Sequence, residues 1–331
     1  MIEKYTIGSM FAGIGGICLA FKQSGCKIVW ANEIDKYACK TYRLNFGDEY
    51  IVQGDIQDID TKDIPKFDIL TAGFPCQTFS SAGLLQGFND PRGNLFFETA
   101  RVIHDIKPKV VFLENVANLV KHDDGKTFEV ICKTLKDLNY HVTFQVMNAK
   151  EYGNLPQQRN RIYIVAFRNK EYLKKFKFPD KLILTRTAFD LFDKEKQAEK
   201  YYMDGHRMWD HMMEYMDDRN RIYRFTDWGL SHGMEGICPT LLAAMGSRFE
   251  RIPFFYDDYS VRLITPREAA RLQGFPEDYI LPQGHEKQVY KQIGNSVAVP
   301  VVSRIAENII KAFPQKIVKN KEERSDESET I

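Results

Sequence analysis

Short apolar runs alternate with longer amphipathic segments through about residue 168. The short runs are YTIGSMF (5–11), KIVWANE (27–33), YIVQGD (50–55), DILTAGF (68–74), VVFLENV (110–116), HVTFQVMNA (141–149) and RIYIVAF (161–167). They are rich in β-branched and aromatic residues, as buried strands are. Between them, ICLAFKQS, DKYACKTYRLNF, LFFETARVIHDI and KTFEVICKTLKDL place apolar residues at helical spacing. This alternation predicts an α/β domain with a doubly wound, mostly parallel sheet covered on both faces. From about 171 to 260 the rhythm breaks into a Lys-, Met-, Tyr- and Arg-rich region, read as a smaller inserted lobe. Patterning returns at TPREAARLQGF, a helix starting after Thr265 and Pro266, and at QIGNSVAVPVVSRIAENIIKAF. The chain is thus expected to divide into 1–170, a lobe with its supporting helix at 171–285, a returning segment at 286–313 and a charged, disordered tail at 314–331.

Composition narrows the function. At 331 residues, 44% hydrophobic and 27% charged, the chain can bury one large core with a smaller lobe beside it. No apolar run approaches the roughly 18 residues of a membrane span, and no signal-peptide core follows the N-terminal charges, so a soluble cytoplasmic protein is expected. A net charge of +1 does not announce a nucleic-acid partner, which must be argued from local residues. The cysteines at 18, 26, 39, 76, 132 and 238 form no Cys-x-x-Cys or Cys/His cluster, which argues against a metal site or a disulfide framework.

In a doubly wound sheet, ligands bind beyond the carboxyl ends of the strands, so the residues where each apolar run stops are the informative ones. The first run ends in FAGIGG, glycines suited to a tight turn against a ligand at a helix N-terminus. Cys18 stands where the dinucleotide fingerprint Gly-x-Gly-x-x-Gly has its third glycine, which weighs against a nicotinamide cofactor. Glu33 is placed to bind the two ribose hydroxyls of a nucleoside, and Asp55 to accept from an exocyclic amine, although each could equally cap the helix that follows. Together at successive strand ends they favour an adenosine-containing cofactor.

The fourth run ends in GFPCQTFSSAG. Cys76 follows Pro75 at the mouth of the same site, in a segment whose Ser and Gly content predicts a mobile loop to about Gly93. A cysteine nucleophile needs a thiolate, an acid and nearby cations. Glu114 in VVFLENV and Arg159 and Arg161 in QQRNR supply the last two.

The ordered set FAGIGG, GFPCQ, ENV, QQRNR, TPREAARLQGFP and QIGNSV resembles the motif series of the DNA (cytosine-5)-methyltransferases, from residue 5 to about 313. It is closest to their short prokaryotic, restriction-modification type. The resemblance implies a methyltransferase fold using S-adenosylmethionine, with Phe11, Gly13, Gly15, Gly16, Glu33, Ile34, Asp55, Ile56, Pro75, Leu95, Asn295 and Ser296 at the cofactor. Ile34 stands where relatives often have an aromatic ring against the adenine, so adenine contact is expected to rest on Phe11 and aliphatic packing. The resemblance further implies catalysis by Cys76, Glu114, Asn115, Arg159 and Arg161 on a cytosine flipped out of double-stranded DNA. It makes the lobe a target-recognition region, with DNA contacts at Gln77, Ser80, Ser81, Arg221, Thr240, Arg248 and Arg262. A monomer is expected, with no membrane partner, acting beside a cognate restriction endonuclease without stable contact.

Three rivals are less well supported. A tRNA-methylating member of the same family would carry a Cys-Phe-Thr signature, and this chain has none. A silent DNA-binding regulator would be expected to lose Cys76 or Glu114, and both are present. A cysteine hydrolase would want a histidine partner, and none of the seven histidines stands at a strand end with that context.

Overall fold

The computed structural model describes residues 5–74 and 95–314. Pro75, Cys76, Gln77, Ser80, Ser81, the loop expected to Gly93 and the tail expected to be disordered lie outside the described residues, apart from Pro314.

Seven strands form one sheet: β1 (Thr6–Met10), β2 (Lys27–Glu33), β3 (Ile51–Gln53), β4 (Ile69–Ala72), β5 (Val110–Val116), β6 (His141–Asn148) and β7 (Asn160–Phe167), in the order β3-β2-β1-β4-β5-β7-β6. The pairings among β1 to β5 are parallel, and β7 runs antiparallel to both β5 and β6. Order reverses at β1, where β2 and β4 flank the first strand, which is the switch point at which such sheets open a crevice.

Both faces are covered, as the sequence predicts. On one lie α1 (Gly16–Gln23) and α2 (Lys36–Phe46), burying Cys18, Phe21, Cys39 and Tyr42. On the other lie α3 (Leu95–Ile106) and α4 (Lys126–Asp137), burying Phe96, Ile103, Ile131 and Leu135. Short helices α5 (Ala149–Tyr152) and α6 (Lys170–Lys175) flank β7. No described helix is long and apolar enough to cross a membrane.

The lobe is more ordered than its sequence indicates. Helix α7 (Trp209–Tyr215) precedes a four-stranded antiparallel sheet of β8 (Tyr223–Thr226), β9 (Gly229–His232), β10 (Phe254–Tyr256) and β11 (Val261–Leu263), in the order β11-β10-β8-β9. Its root is α8 (Pro266–Leu272), where Thr265 accepts from the Glu268 amide at 3.2 Å while Glu268 accepts from the Thr265 amide at 2.7 Å. This reciprocal cap explains why the helix starts where the sequence places it.

The last helices, α9 (Glu286–Asn295) and α10 (Val299–Ala312), lie against the first domain: the Ser24 hydroxyl donates to the Ser303 carbonyl at 3.2 Å, and Tyr5 stacks on Phe313. Helix α9 approaches the lobe so closely that a side chain at Gly294 would lie 2.2 Å from the Leu242 carbonyl carbon, so only glycine fits.

Candidate active site

The strand ends converge on a cleft of about 460 Å³, within the range of small-molecule sites. Its wall begins at the first turn. Strand β1 stops at Met10, one residue before the sequence predicts, because Phe11 enters the left-handed region at φ 51°. That conformation is strained for a bulky residue and persists only where its surroundings enforce it. Here the next amide, Ala12, donates to the Asn32 carbonyl at 2.9 Å, and Gly15, at φ 86°, turns the chain into α1.

Glu33 organises this turn. Its Oε2 accepts from the Gly13 amide at 2.8 Å, and its Oε1 accepts from the Ile34 and Asp35 amides at 3.0 and 2.9 Å. Asp35, not Glu33, caps α2, accepting from the Tyr37 and Ala38 amides. Glu33 is thereby free of the capping role, with spare acceptor capacity on Oε2 facing the cleft. Asp55 does cap: its Oδ1 accepts from the Gln57 amide at 3.0 Å, while the residue still lines the cleft. Ile34 is 63% exposed at the rim, and Ile56 and Leu95 complete the lining.

The far wall is polar and buried. Glu114 and Asn115 lie just before β5 ends at Val116, and both residues are buried. Asn115 donates from Nδ2 to the Phe74 carbonyl at 2.8 Å and accepts from the Val116 amide at 2.8 Å, clamping the backbone that leads into Pro75 and Cys76. Arg161 lies with Nε 3.1 Å from Glu114 Oε1, but the N–H is misaligned, leaving that oxygen without a hydrogen bond among the described residues. Burial raises the Glu114 carboxyl above its ordinary value, and Arg161 and Arg159 only partly oppose this.

Arg159 is fully buried, and the structure shows why a guanidinium is there. Its Nη1 donates to the Leu241 carbonyl at 2.9 Å, and its Nη2 donates to the carbonyls of Gly294, at 3.2 Å, and Ser296. One side chain thus ties the lobe and the end of α9 to the cleft floor. Burial, then the neighbouring charge of Arg161, push its pKa down to about 9, so it stays cationic at neutral pH.

Asn295 and Ser296 reach the same cleft from α9. Sequence reasoning missed Asn32, Lys291 and Gln292, which also line it. Asn32 immediately precedes Glu33 at a strand end, and Lys291 and Gln292 stand four and three residues before Asn295 on one helix, so the same two rules reach all three.

The lobe positions divide. Thr240 is half-buried, its hydroxyl donating to the Gln158 carbonyl beside Arg159. Arg221 pairs with Asp218 at 3.0 Å, and Arg248 with Asp227 at 3.4 Å. Arg262 corrects the expectation of a DNA contact. It is completely buried, bonded to Asp257 at 2.9 Å and to both oxygens of Glu268, and stacked on Phe255. A guanidinium closed on two carboxylates inside the lobe has no donor to offer outside it.

A mostly parallel sheet of this order, with an antiparallel β7–β6 edge, a cleft beyond its carboxyl ends and a small antiparallel lobe, is the architecture of a methyltransferase. It superposes on the crystal structure of S. pombe Dnmt2 methyltransferase with a TM-score of 0.72, covering 93% of this chain and 99% of that one at 21% identity, a likeness of fold. Residues 5–311 match the C-5 cytosine-specific DNA methylase family, and the chain belongs to that family. It is 47% identical to the Type II methyltransferase M.Bsp6I of Bacillus sp. (strain RFL6), over 93% of this chain and 99% of the relative. To the Type II methyltransferase M.HhaI of Haemophilus parahaemolyticus it is 39% identical, over 91% and 92%. It is accordingly a DNA cytosine-5-methyltransferase.

Proposed function

We propose that the enzyme methylates C5 of a cytosine flipped out of a specific sequence in duplex DNA, through a covalent bond between Cys76 and C6, as the modification member of a cytoplasmic restriction-modification system. The observation that carries this reading is Glu114: a carboxyl raised by burial, beside two arginines, at the end of the strand next to the one leading into Cys76.

S-adenosylmethionine fits the other half of the cleft, where it would supply an electrophilic methyl group. Glu33 keeps acceptor capacity on Oε2 for ribose hydroxyls, and Gly13 has no heavy atom within 4 Å of where a side chain would begin, leaving room for a ligand at the turn. Asp55 and Ile56 would flank the adenine, Phe11 and Ile34 its faces, and Asn295 and Ser296 the methionine end. Gly15, Gly16, Pro75 and Leu95 would complete that site.

Cytosine C5 is a weak nucleophile until the ring is made electron-rich. Addition of the Cys76 thiolate to C6 does this, pushing negative charge toward N3 and O2. Glu114, protonated or sharing a proton with N3, stabilises that charge, and Arg161 holds O2. Arg159 keeps an uncompensated positive charge beneath this wall, while Asn115 fixes the Phe74 carbonyl and hence the entry to Cys76. After transfer, loss of the C5 proton expels the thiolate and restores the ring.

Gln77, Ser80, Ser81, Arg221, Thr240 and Arg248 are the DNA-facing positions in this reading. Duplex containing 5-fluorocytosine at the target tests it: fluorine cannot leave as a proton does, so wild type should form an adduct that survives a denaturing gel, and Cys76→Ser should form none and transfer no methyl group. Ordinary methylation without a trapped adduct would rule out the covalent route.

A further inference from the structure

The β8–β9 hairpin ends in Thr226-Asp227-Trp228-Gly229, and its tip carries the most exposed large apolar side chain among the described residues: Trp228 is 97% exposed. A single exposed apolar residue is ordinary. What sets this one apart is its mounting. The Thr226 hydroxyl accepts from the Trp228 amide at 3.2 Å and donates to the Gly229 carbonyl at 2.9 Å, and Gly229 takes φ 115°, so the turn is closed on itself. Asp227 is held from the adjoining segment by Arg248 and Arg251, and Arg251 Nη1 donates to the Phe225 carbonyl at 3.4 Å. The backbone is fixed while the indole stands almost fully exposed, a rigid support for an aromatic contact whose partner is a separate molecule.

The hairpin is also tied to the cleft. Arg159 bonds the Leu241 carbonyl, the neighbouring Thr240 hydroxyl bonds the Gln158 carbonyl, and Arg224 of β8 donates to the Thr240 carbonyl at 2.6 Å. Beyond Arg224 the strand continues through Thr226, and Asp227 and Trp228 form the turn at its tip. Such a two-stranded ribbon is an element that a DNA major groove, ~12 Å wide and ~8.5 Å deep, admits. Arg248, at the base of the tip and 63% exposed, offers a cation to a phosphate beside such a groove, while Arg251, only 13% exposed, is spent on Asp227 and the Phe225 carbonyl.

We infer that the β8–β9 hairpin enters the major groove of the substrate duplex and that Trp228 is a specificity-determining residue, packing its indole on base edges beside the target cytosine. The inference rests on the proposed duplex substrate and names the part of the lobe that reads it. Apolar contact to a base edge, above all to a thymine methyl, discriminates sequence without a hydrogen bond.

The test measures equilibrium binding of a duplex carrying the wild-type enzyme's own methylation site, mapped by sequencing its product, against a scrambled duplex of equal composition. Wild type, Trp228→Ala and Trp228→Phe are compared, with thermal melts to verify folding. Trp228→Ala should weaken binding to the site duplex about tenfold, equivalent to ~1.4 kcal/mol, and leave the scrambled duplex and the salt dependence unchanged. Trp228→Phe should lose less. Equal loss on both duplexes, or no loss on either, overturns the assignment. A wild-type enzyme that methylates tRNA and no duplex overturns the substrate reading and the assignment together, and the wild-type arm alone identifies that case.

Discussion

Arg159 and Arg262 are both buried guanidiniums, and their surroundings separate the cleft from the lobe. Arg262 is closed on Asp257 and Glu268. Burial alone would lower its pKa, but those carboxylates more than reverse the effect and raise it. Arg159 is held by backbone carbonyls of Leu241, Gly294 and Ser296, which occupy its Nη donors without cancelling its charge while Nε has no hydrogen-bond partner among the described residues, and its pKa falls. The same residue type therefore does two jobs. In the lobe its charge is spent on holding segments together. In the cleft the charge is left over, and in the proposed mechanism it would face the negative charge that develops in a bound base.

The largest expected effect lies in the lobe. Arg262→Ala would leave Glu268 buried without its partner and should cost about 3–5 kcal/mol of stability, read as a lowered denaturant midpoint, while any folded fraction keeps its cofactor affinity. A small loss would mean that the pair is not the lobe's anchor. Next comes Arg159→Met, which keeps the bulk and removes the charge. It should lower the rate of methyl transfer about 10²–10³-fold in single-turnover assays with DNA bound. A loss confined to stability would show that Arg159 is a strap and nothing more.

A pH series sharpens the contrast further. The folded pKa of Glu114 is raised above the ordinary 4.5, so the folded state binds this proton more tightly than the unfolded state does. The associated stability is complete below about pH 4.5 and is lost as pH rises through the folded value, at a slope of at most about 1.4 kcal/mol per pH unit. Glu114→Gln cannot ionise, and should therefore gain on wild type in melting temperature as pH rises from about 4.5. Parallel curves for the two proteins would contradict the raised value. The smallest effect belongs to Arg248→Ala: its side chain is 63% exposed, so the pair with Asp227 contributes ~0–1 kcal/mol to stability. Its melting curve should overlay that of wild type, whereas its DNA titration should shift.

How far all this was legible varies with the length of the pattern. The seven sheet strands lie within about three residues of their predicted ends, because buried parallel strands are apolar runs bounded by polar ones. The misfits are local: Phe11 leaves β1 for a left-handed turn, and Gly54 and Asp55 leave β3 for a cap. The lobe sheet escaped, since three or four residues are too few to display an alternation. Glu33, Glu114 and Asn115 were legible as cleft-lining residues because strand ends are where such a sheet opens its crevice. The two arginines were not resolved. Nothing in QQRNR announces carbonyls from residues 241, 294 and 296, and nothing around Arg262 shows that Asp257 and Glu268 fold over it.

The closing contact of the first domain joins residues 309 positions apart, where the Tyr5 hydroxyl donates to the Pro314 carbonyl. A ribosome delivers these partners in sequence, so the apolar face of α1 waits uncovered until α10 has been made. During that interval the nascent chain has a near-complete sheet and an exposed sticky flank, the condition that favours aggregation. Slowing translation near residue 299 should therefore lower the soluble yield more than an equal pause near residue 170, although the finished protein is identical in both cases.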